Sequence, residues 1–239
     1  LFLSQCSRFS SKEPIRGGIP IVYPWFGPKA GQAQHGFARR QRWELKEFAP
    51  ARDGSVGVRF QLPPSPEAAA FPRCRVEYIV TVSAELKLEL VVTNQSQDVF
   101  AFEDCLHTYF VVGDVSNISI RGLKGVEYLD KLKDYARAKE TEELLRLNGE
   151  IDRTYVNTPG PVEIFDGELW RKIRIEKTSS ASTVVWNPWA ARAQQLADLG
   201  NEEYRHMVCV ESGNIGENKI KLPPGGEHRL AVTLATERV

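Results

Sequence analysis

The run R-V-E-Y-I-V-T-V at Arg75 to Val82 is followed, after a short polar link, by L-K-L-E-L-V-V-T-N at Leu86 to Asn94, and this pair decides the fold class. Val76, Tyr78, Val80 and Val82 share one side of the first run, and Leu86, Leu88, Leu90 and Val92 share one side of the second. A period of two marks half-buried strands, because successive strand side chains leave on opposite faces. The pattern recurs outward in both directions. Val56 to Leu62 alternates and stops at Pro63-Pro64. Val99 to Glu103, Thr108 to Val112, Asn117 to Arg121, Lys172 to Lys177, Thr183 to Trp186, Met207 to Glu211 and Arg229 to Thr236 are short, β-branched or aromatic, and bounded by Gly, Pro, Asn or Asp. Such spacing along the whole chain predicts an all-β fold, antiparallel sheets packed as a sandwich. Two stretches read as helical. Thr141 to Leu147 is short and charged, and Pro188 to Leu199 opens on a proline near its first turn and continues in good helix formers. Pro63 to Pro66 reads as a loop within a sheet, and no repeat or low-complexity linker interrupts residues 1–239, so one domain is expected.

Lys plus Arg and Asp plus Glu each number 31, so the formal net charge is zero. Nucleic-acid and membrane-surface roles draw on a basic excess that this chain lacks. No apolar run approaches the length of a bilayer span. Cys6, Cys74, Cys105 and Cys209 are far apart and form no C-x-x-C pair, and the last two lie in apolar strand-like segments. They read as free thiols in a reducing, cytoplasmic setting rather than as disulfides or metal ligands. There is no H-x-x-x-H or H-E-x-x-H spacing, no P-loop, no G-x-S-x-G elbow and no dinucleotide fingerprint after Gly17-Gly18. No metal and no cofactor is therefore expected. Leu1-Phe2-Leu3-Ser4 reads as part of a strand with no initiator Met, which predicts that further strands precede it and that a sheet edge is left open here.

The stretch from Arg16 to Arg39, R-G-G-I-P-I-V-Y-P-W-F-G-P-K-A-G-Q-A-Q-H-G-F-A-R, has no helical period and only a fragment of alternation. Gly and Pro fix its turns, aromatics build walls, and its polar set ends in Gln34, His35 and Arg39. Guanidinium forks grip anionic oxygens, so a rigid loop for a small polar ligand is predicted. His107, in F-A-F-E-D-C-L-H-T-Y-F, reads plainly as a core histidine, yet it follows Glu103 and Asp104 between two strands and is the best general acid or base in the chain. Glu211, in M-V-C-V-E-S-G-N, is either a strand-end carboxylate facing water or a partly desolvated base. Asp152 in G-E-I-D-R-T-Y reads locally as a turn cap, with hydroxyl binding as the alternative. Trp186-Asn187-Pro188-Trp189 offers an aromatic face and an amide, or simply core aromatics ending a strand, and His206 and His228 read as surface residues.

Six segments taken in order resemble the glucose-6-phosphate 1-epimerase branch of the aldose 1-epimerase (mutarotase) family. They are I-R-G-G-I-P at Ile15, Q-H-G-F-A-R at Gln34, F-E-D-C-L-H-T-Y-F at Phe102, E-I-D-R-T-Y at Glu150, V-V-W-N-P-W at Val184 and C-V-E-S-G-N at Cys209. The resemblance implies a galactose-mutarotase-like β-supersandwich with one or two short helices, acting on the anomers of hexose 6-phosphates, and a monomer is expected. It casts His107 as general acid and Glu211 as general base, with Arg16, Gln34, Arg39 and Asp152 as substrate-binding residues beside His35 of the same polar set. Anomer exchange opens a hemiacetal and recloses it, which takes one proton donor and one acceptor and neither metal nor nucleotide. An imidazole and a carboxylate on opposite sides of the ring would serve. Two rivals remain at this level: a non-catalytic sugar-phosphate binding protein on the same fold, and a glycan-binding β-sandwich module, which has no use for the two guanidiniums of Arg16 and Arg39.

Overall fold

The computed structural model describes residues 1–10 and 13–239. Arg75 to Asn94 forms the hairpin its alternation predicts: Cys74–Val82 pairs antiparallel with Leu86–Asn94 in an unbroken register from Cys74 opposite Asn94 to Val82 opposite Leu86. The hairpin lies inside a nine-stranded sheet in the order Leu144–Leu145, Ile118–Arg121, Val162–Asp166, Arg171–Thr178, Glu227–Arg238, Leu86–Asn94, Cys74–Val82, Val56–Gln61 and Glu44–Pro50. A second sheet of eight strands runs Ile21–Val22, Asp104–Leu106, Met207–Asn214, Ser182–Asn187, Ile151–Val156, Glu127–Asp130 and Ala136–Lys139, with Tyr109–Val111 also paired to Met207–Asn214. A two-stranded ribbon joins Phe100–Phe102 to Ile220–Leu222.

The two large sheets share one apolar core. Leu88, Leu90, Val92, Ile164, Ile175, Leu230 and Val232 enter it from the nine-stranded sheet, and Leu106, Tyr155, Val185, Val208 and Val210 from the eight-stranded one. The strand period then fixes the opposite face of the eight-stranded sheet. If Val208 and Val210 point to the core, Cys209 and Glu211 point away from it, and if Leu106 is in the core, Cys105 and His107 are not. That second face is covered by Phe2, the Arg16 to Arg39 loop and residues 189–199, so Met207–Asn214 is buried along its whole length. Its sequence accordingly reads as a nearly continuous apolar run.

Both helical expectations need correction. Thr141 to Leu147 is not helical: Leu144–Leu145 pairs with Ile118–Arg121, and Leu145 and Leu147 are both buried, a spacing of two that a helix cannot supply. In Pro188 to Leu199 only Trp189–Ala193 is α-helical. Beyond it the chain closes i to i+3 bonds, Gln195 N–H to Arg192 O and Leu199 N–H to Leu196 O, which turn it back toward the sheet. A short helix not expected from the sequence, Pro66–Ala69, follows the Pro-rich loop, and its N-cap Ser65 accepts from the Ala68 N–H at 3.1 Å. Strands at Glu44–Pro50, Glu127–Asp130, Ala136–Lys139 and Val162–Asp166 were also not expected. Among the described residues no helix is long and apolar enough to cross a membrane.

Candidate active site

Strand alternation brings the site together. His107 follows Asp104–Leu106, Glu211 lies on Met207–Asn214, Asp152 on Ile151–Val156 and Trp186 on Ser182–Asn187, all on the face turned away from the core. Gly213 sets the closeness of the first two strands. A Cβ there would stand 2.3 Å from the Asp104 carbonyl oxygen and 2.7 Å from the Cys105 Cβ, so only a bare Cα lets Asp104–Leu106 lie this near. Gly36 does the same for the loop: at φ +72° its Cβ would meet the Tyr23 carbonyl oxygen at 2.0 Å. The loop is then held by Phe37 N–H and His35 N–H, which donate to Tyr23 O and Gly27 O.

These elements enclose a polar cavity of about 350 Å³. Arg16, Gln34, His35, Arg39, His107, Asp152 and Glu211, all expected at a site, all line it. At its floor His107 Nε2 and Glu211 Oε1 are 3.2 Å apart, and both residues are buried. The two are thus adjacent, not on opposite sides of a ring. The Cys105 thiol donates to the other Glu211 oxygen at 3.5 Å. Burial pushes the Glu211 carboxyl up to about 8, against the pull of Lys131, Cys105 and Arg39. Burial, joined by His35 and the cations Arg39, Arg16 and Lys131, drives His107 well below the usual histidine range. At neutral pH the pair therefore holds one proton between two basic atoms. Tyr109 stacks on the His107 ring at 4.9 Å and 10°, and Trp186 meets it edge-on at 6.3 Å. His107 Nδ1 is buried without a hydrogen-bond partner among the described residues.

Cations ring the walls. Arg16 donates through Nη1 to the Tyr109 hydroxyl at 3.1 Å and through Nη2 to Asp198 Oδ1 at 3.0 Å. Arg39 Nη2 donates to the Gln34 carbonyl at 2.8 Å. The Nε atoms of both arginines are buried with no hydrogen-bond partner among the described residues. Lys131 Nζ pairs with Asp152 Oδ1 at 2.9 Å and rests 4.7 Å above the Phe26 ring centre. Asp152 is therefore a strand residue with a charged partner rather than a turn cap, and burial raises its pKa. His35 Nδ1 accepts the Gly27 N–H at 3.2 Å, and burial with the nearby Arg39 holds its pKa down at about 3, so it is a neutral imidazole at working pH.

Sequence reading missed Lys131, Tyr109, Phe26, Glu150, Arg192 and Asp198, which line the same cavity. Tyr109 carried a signal, since it stands two residues beyond His107 at a strand and must share its face. Lys131 and Asp198 carried none, because Lys131 opens a short 3-10 turn after a strand and Asp198 lies in a turn beyond Trp189–Ala193. His228 is not a surface residue: its Nε2 lies 3.0 Å from Asp104 Oδ2, and Asn214 Nδ2 donates to the other Asp104 oxygen at 2.8 Å. Glu103 accepts the backbone N–H groups of Phe26 at 2.7 Å and Gly216 at 2.6 Å, tying the loop to the end of Met207–Asn214. Cys105 and Cys209 are buried free thiols, as expected. A larger cavity of about 570 Å³ lies between the Pro63 to Pro72 segment and the adjoining strands, but its lining is largely apolar and its titratable groups are Tyr23, Arg73, Cys74 and Arg75, with no acid–base pair.

The chain matches the family model for aldose 1-epimerase over residues 9–235. A relative from Cenchrus ciliaris, named "Putative glucose-6-phosphate 1-epimerase", is 32% identical across 98% of this chain and 74% of its own length. A relative of the same name from Escherichia coli strain K12 is 34% identical over 92% of this chain and 74% of its own. The crystal structure of "a putative mutarotase" from Salmonella typhimurium superposes with a TM-score of 0.91 at 30% identity, covering 100% of this chain and 80% of that one. A galactose mutarotase-like protein from Clostridium acetobutylicum, 16% identical, shares the fold with a TM-score of 0.68 over 93% of this chain and 80% of its own. The galactose-mutarotase-like all-β architecture implied by the six motifs is the one observed.

Proposed function

As the chain belongs to the aldose 1-epimerase family, and so is an isomerase of sugar anomers, we propose that its substrates are hexose 6-phosphates, glucose 6-phosphate first among them. The observation that carries this is the pairing of one acid–base couple, His107 and Glu211, with a cationic wall whose two guanidinium Nε–H groups have no acceptor among the described residues. A buried donor without a partner is costly to leave unmade. A phosphate supplies acceptors for both, and fork-like guanidinium–phosphate contacts are among the stronger polar contacts in proteins.

The chemistry needs little more. The anomeric hydroxyl oxygen and the ring oxygen are bonded to the same carbon, so a donor and an acceptor in mutual contact reach both. The couple carries one proton. It gives that proton to the ring oxygen from one member while the other takes the hydroxyl proton, the C1–O5 bond opens, C1 turns about C1–C2, and the reverse transfers close the other anomer. Each proton transfer of this kind typically contributes about 10²–10⁴-fold. Binding the remote phosphate holds C1 over the couple without entering the chemistry. Asp152, Gln34 and His35 face the same space and serve the sugar hydroxyls. In this reading the protein acts as a monomer, without metal or cofactor.

The test is anomer-resolved NMR of freshly dissolved α-glucose 6-phosphate and of α-glucose, with wild type and with Arg39→Ala. Wild type should speed exchange of the phosphate far more than that of free glucose. Arg39→Ala should raise KM for glucose 6-phosphate and leave the slow rate with glucose nearly unchanged. Equal rates with the two sugars in wild type, or equal losses on both in the variant, would remove the phosphate from the proposal.

A further inference from the structure

The two-residue period that puts Glu211 at the cavity floor puts Cys209 on the same face of the same strand. An imidazole nitrogen of His107, the Cys209 sulfur and a Glu211 carboxylate oxygen all lie within 4.8 Å of one another, and all three residues are buried. The sequence spacing gave no hint of this, because the ligand types come from segments about a hundred positions apart. We propose that the triangle is an inhibitory zinc site, in which a bound Zn²⁺ takes the imidazole, the thiolate and the carboxylate and so disables the acid–base couple.

Nitrogen, sulfur and oxygen are the donors zinc takes, and a three-ligand set leaves the fourth position open. Two of the three ligand residues, His107 and Glu211, line the cavity, so an ion held between them is reached from it. Zinc holds imidazole nitrogen and carboxylate oxygen at about 2.0–2.2 Å in a tetrahedron, which sets the two roughly 3.3 Å apart. His107 Nε2 and Glu211 Oε1 are already 3.2 Å apart, so only the Cys209 sulfur has to close in. The imidazole plane is fixed beforehand by its stack on Tyr109. A thiolate in the set selects zinc over the hard cations magnesium and calcium. On binding, the thiol proton and any proton held by the couple leave to solvent. Cys209 itself has no part in anomer exchange. It packs with Phe2, Tyr109, Ala193, Leu199 and Met207, so a residue of similar size can replace it.

The effect on activity rests on the catalytic reading above, but the binding of the ion does not, and the experiment separates them. Chelator-stripped protein is titrated with Co²⁺, followed by absorption, and then with Zn²⁺, followed by anomer exchange. Wild type should take up one Co²⁺ with a thiolate-to-cobalt charge-transfer band that Zn²⁺ abolishes, and exchange should fall in step with zinc occupancy and return with EDTA. Cys209→Ser and Cys209→Ala, each checked for native circular dichroism, should keep metal-free activity, lose the band and bind zinc at least about tenfold more weakly. Cys6→Ser, at an exposed thiol, should behave as wild type. Absence of the band in wild type, or the same zinc affinity with and without Cys209, overturns the site. Zinc bound with the thiolate band and exchange unaffected overturns the inhibition. If metal-free wild type shows no exchange at all, the functional reading fails while the band still decides the site.

Discussion

At the scale of single residues, His107 and Glu211 are buried together and burial moves them in opposite directions. The desolvated carboxyl keeps its proton longer, and the desolvated imidazole gives its proton up sooner. The competent state is the one with a single proton on the pair. Activity as kcat/KM should then follow a bell. Its alkaline limb lies near 8, where that proton is lost, and its acid limb falls below the ordinary histidine value of 6.5, where a second proton arrives. His107→Ala and Glu211→Gln should each abolish most exchange with unchanged circular dichroism, and either variant retaining near wild-type rates sinks the couple. Stability gives an independent reading of the same carboxyl. Its folded pKa lies above its ordinary 4.5, so between about 4.5 and 8 the folded state binds more protons than the unfolded and stability falls as pH rises. Glu211→Gln removes that dependence. Urea unfolding at several pH values should show the variant gaining on wild type from pH 5 to pH 8, and a constant difference would mean that Glu211 titrates normally.

At the scale of elements, Met207–Asn214 is the strand on which the site is built, and it shows what a sequence can and cannot disclose. Its apolar lead-in and terminal Glu211-Ser-Gly213 are visible as letters, and so is the strand that holds them. The hairpin of Cys74–Val82 with Leu86–Asn94 was equally legible, because its alternation is clean and its partner is next in the chain. Glu44–Pro50 was not, since every residue of this edge strand is exposed and no buried face writes a period into it. Leu144–Leu145 was mistaken because charged helix formers surround two leucines whose alternate burial is decided by a neighbouring strand. Within the site, His35, Arg39 and Gln34 were legible as one loop. Lys131, delivered by a single turn after Glu127–Asp130, was not. Gly213 makes the contact between elements testable. An added methyl collides with backbone at Asp104, and flexible side chains cannot absorb that, so the strands must part. Gly213→Ala should lower stability by about 1–3 kcal/mol. Because it displaces His107 from Glu211, it should lower kcat by much more than its melting point suggests. A variant with native kcat and a lowered melting temperature would show that the spacing of these strands is structural alone.

For the whole molecule, the eight- and nine-stranded sheets do not have separate cores. Leu90 and Leu230 on one side and Val208 and Val210 on the other belong to a single buried cluster, and the site occupies the far face of the strand that carries the two valines. Neither sheet can lose its partner and keep its apolar face dry, and the active-site face is rigid only while that core stands. The 239 residues should therefore melt as one unit, although the chain exceeds the size at which two-state behaviour is routine. Calorimetry, far-ultraviolet circular dichroism and residual anomer exchange should report a single coincident transition. Leu90→Ala, which empties a fully buried position, should cost about 2–5 kcal/mol. For a chain of this length each kcal/mol lowers the midpoint by about 2–4 °C, so the whole transition should move down by several degrees, the exchange curve with it. The variant is the sharper test, because Leu90 sits in the sheet that contributes no catalytic group. If exchange and the eight-stranded sheet kept their original midpoint while the other sheet melted early, the chain would be two domains.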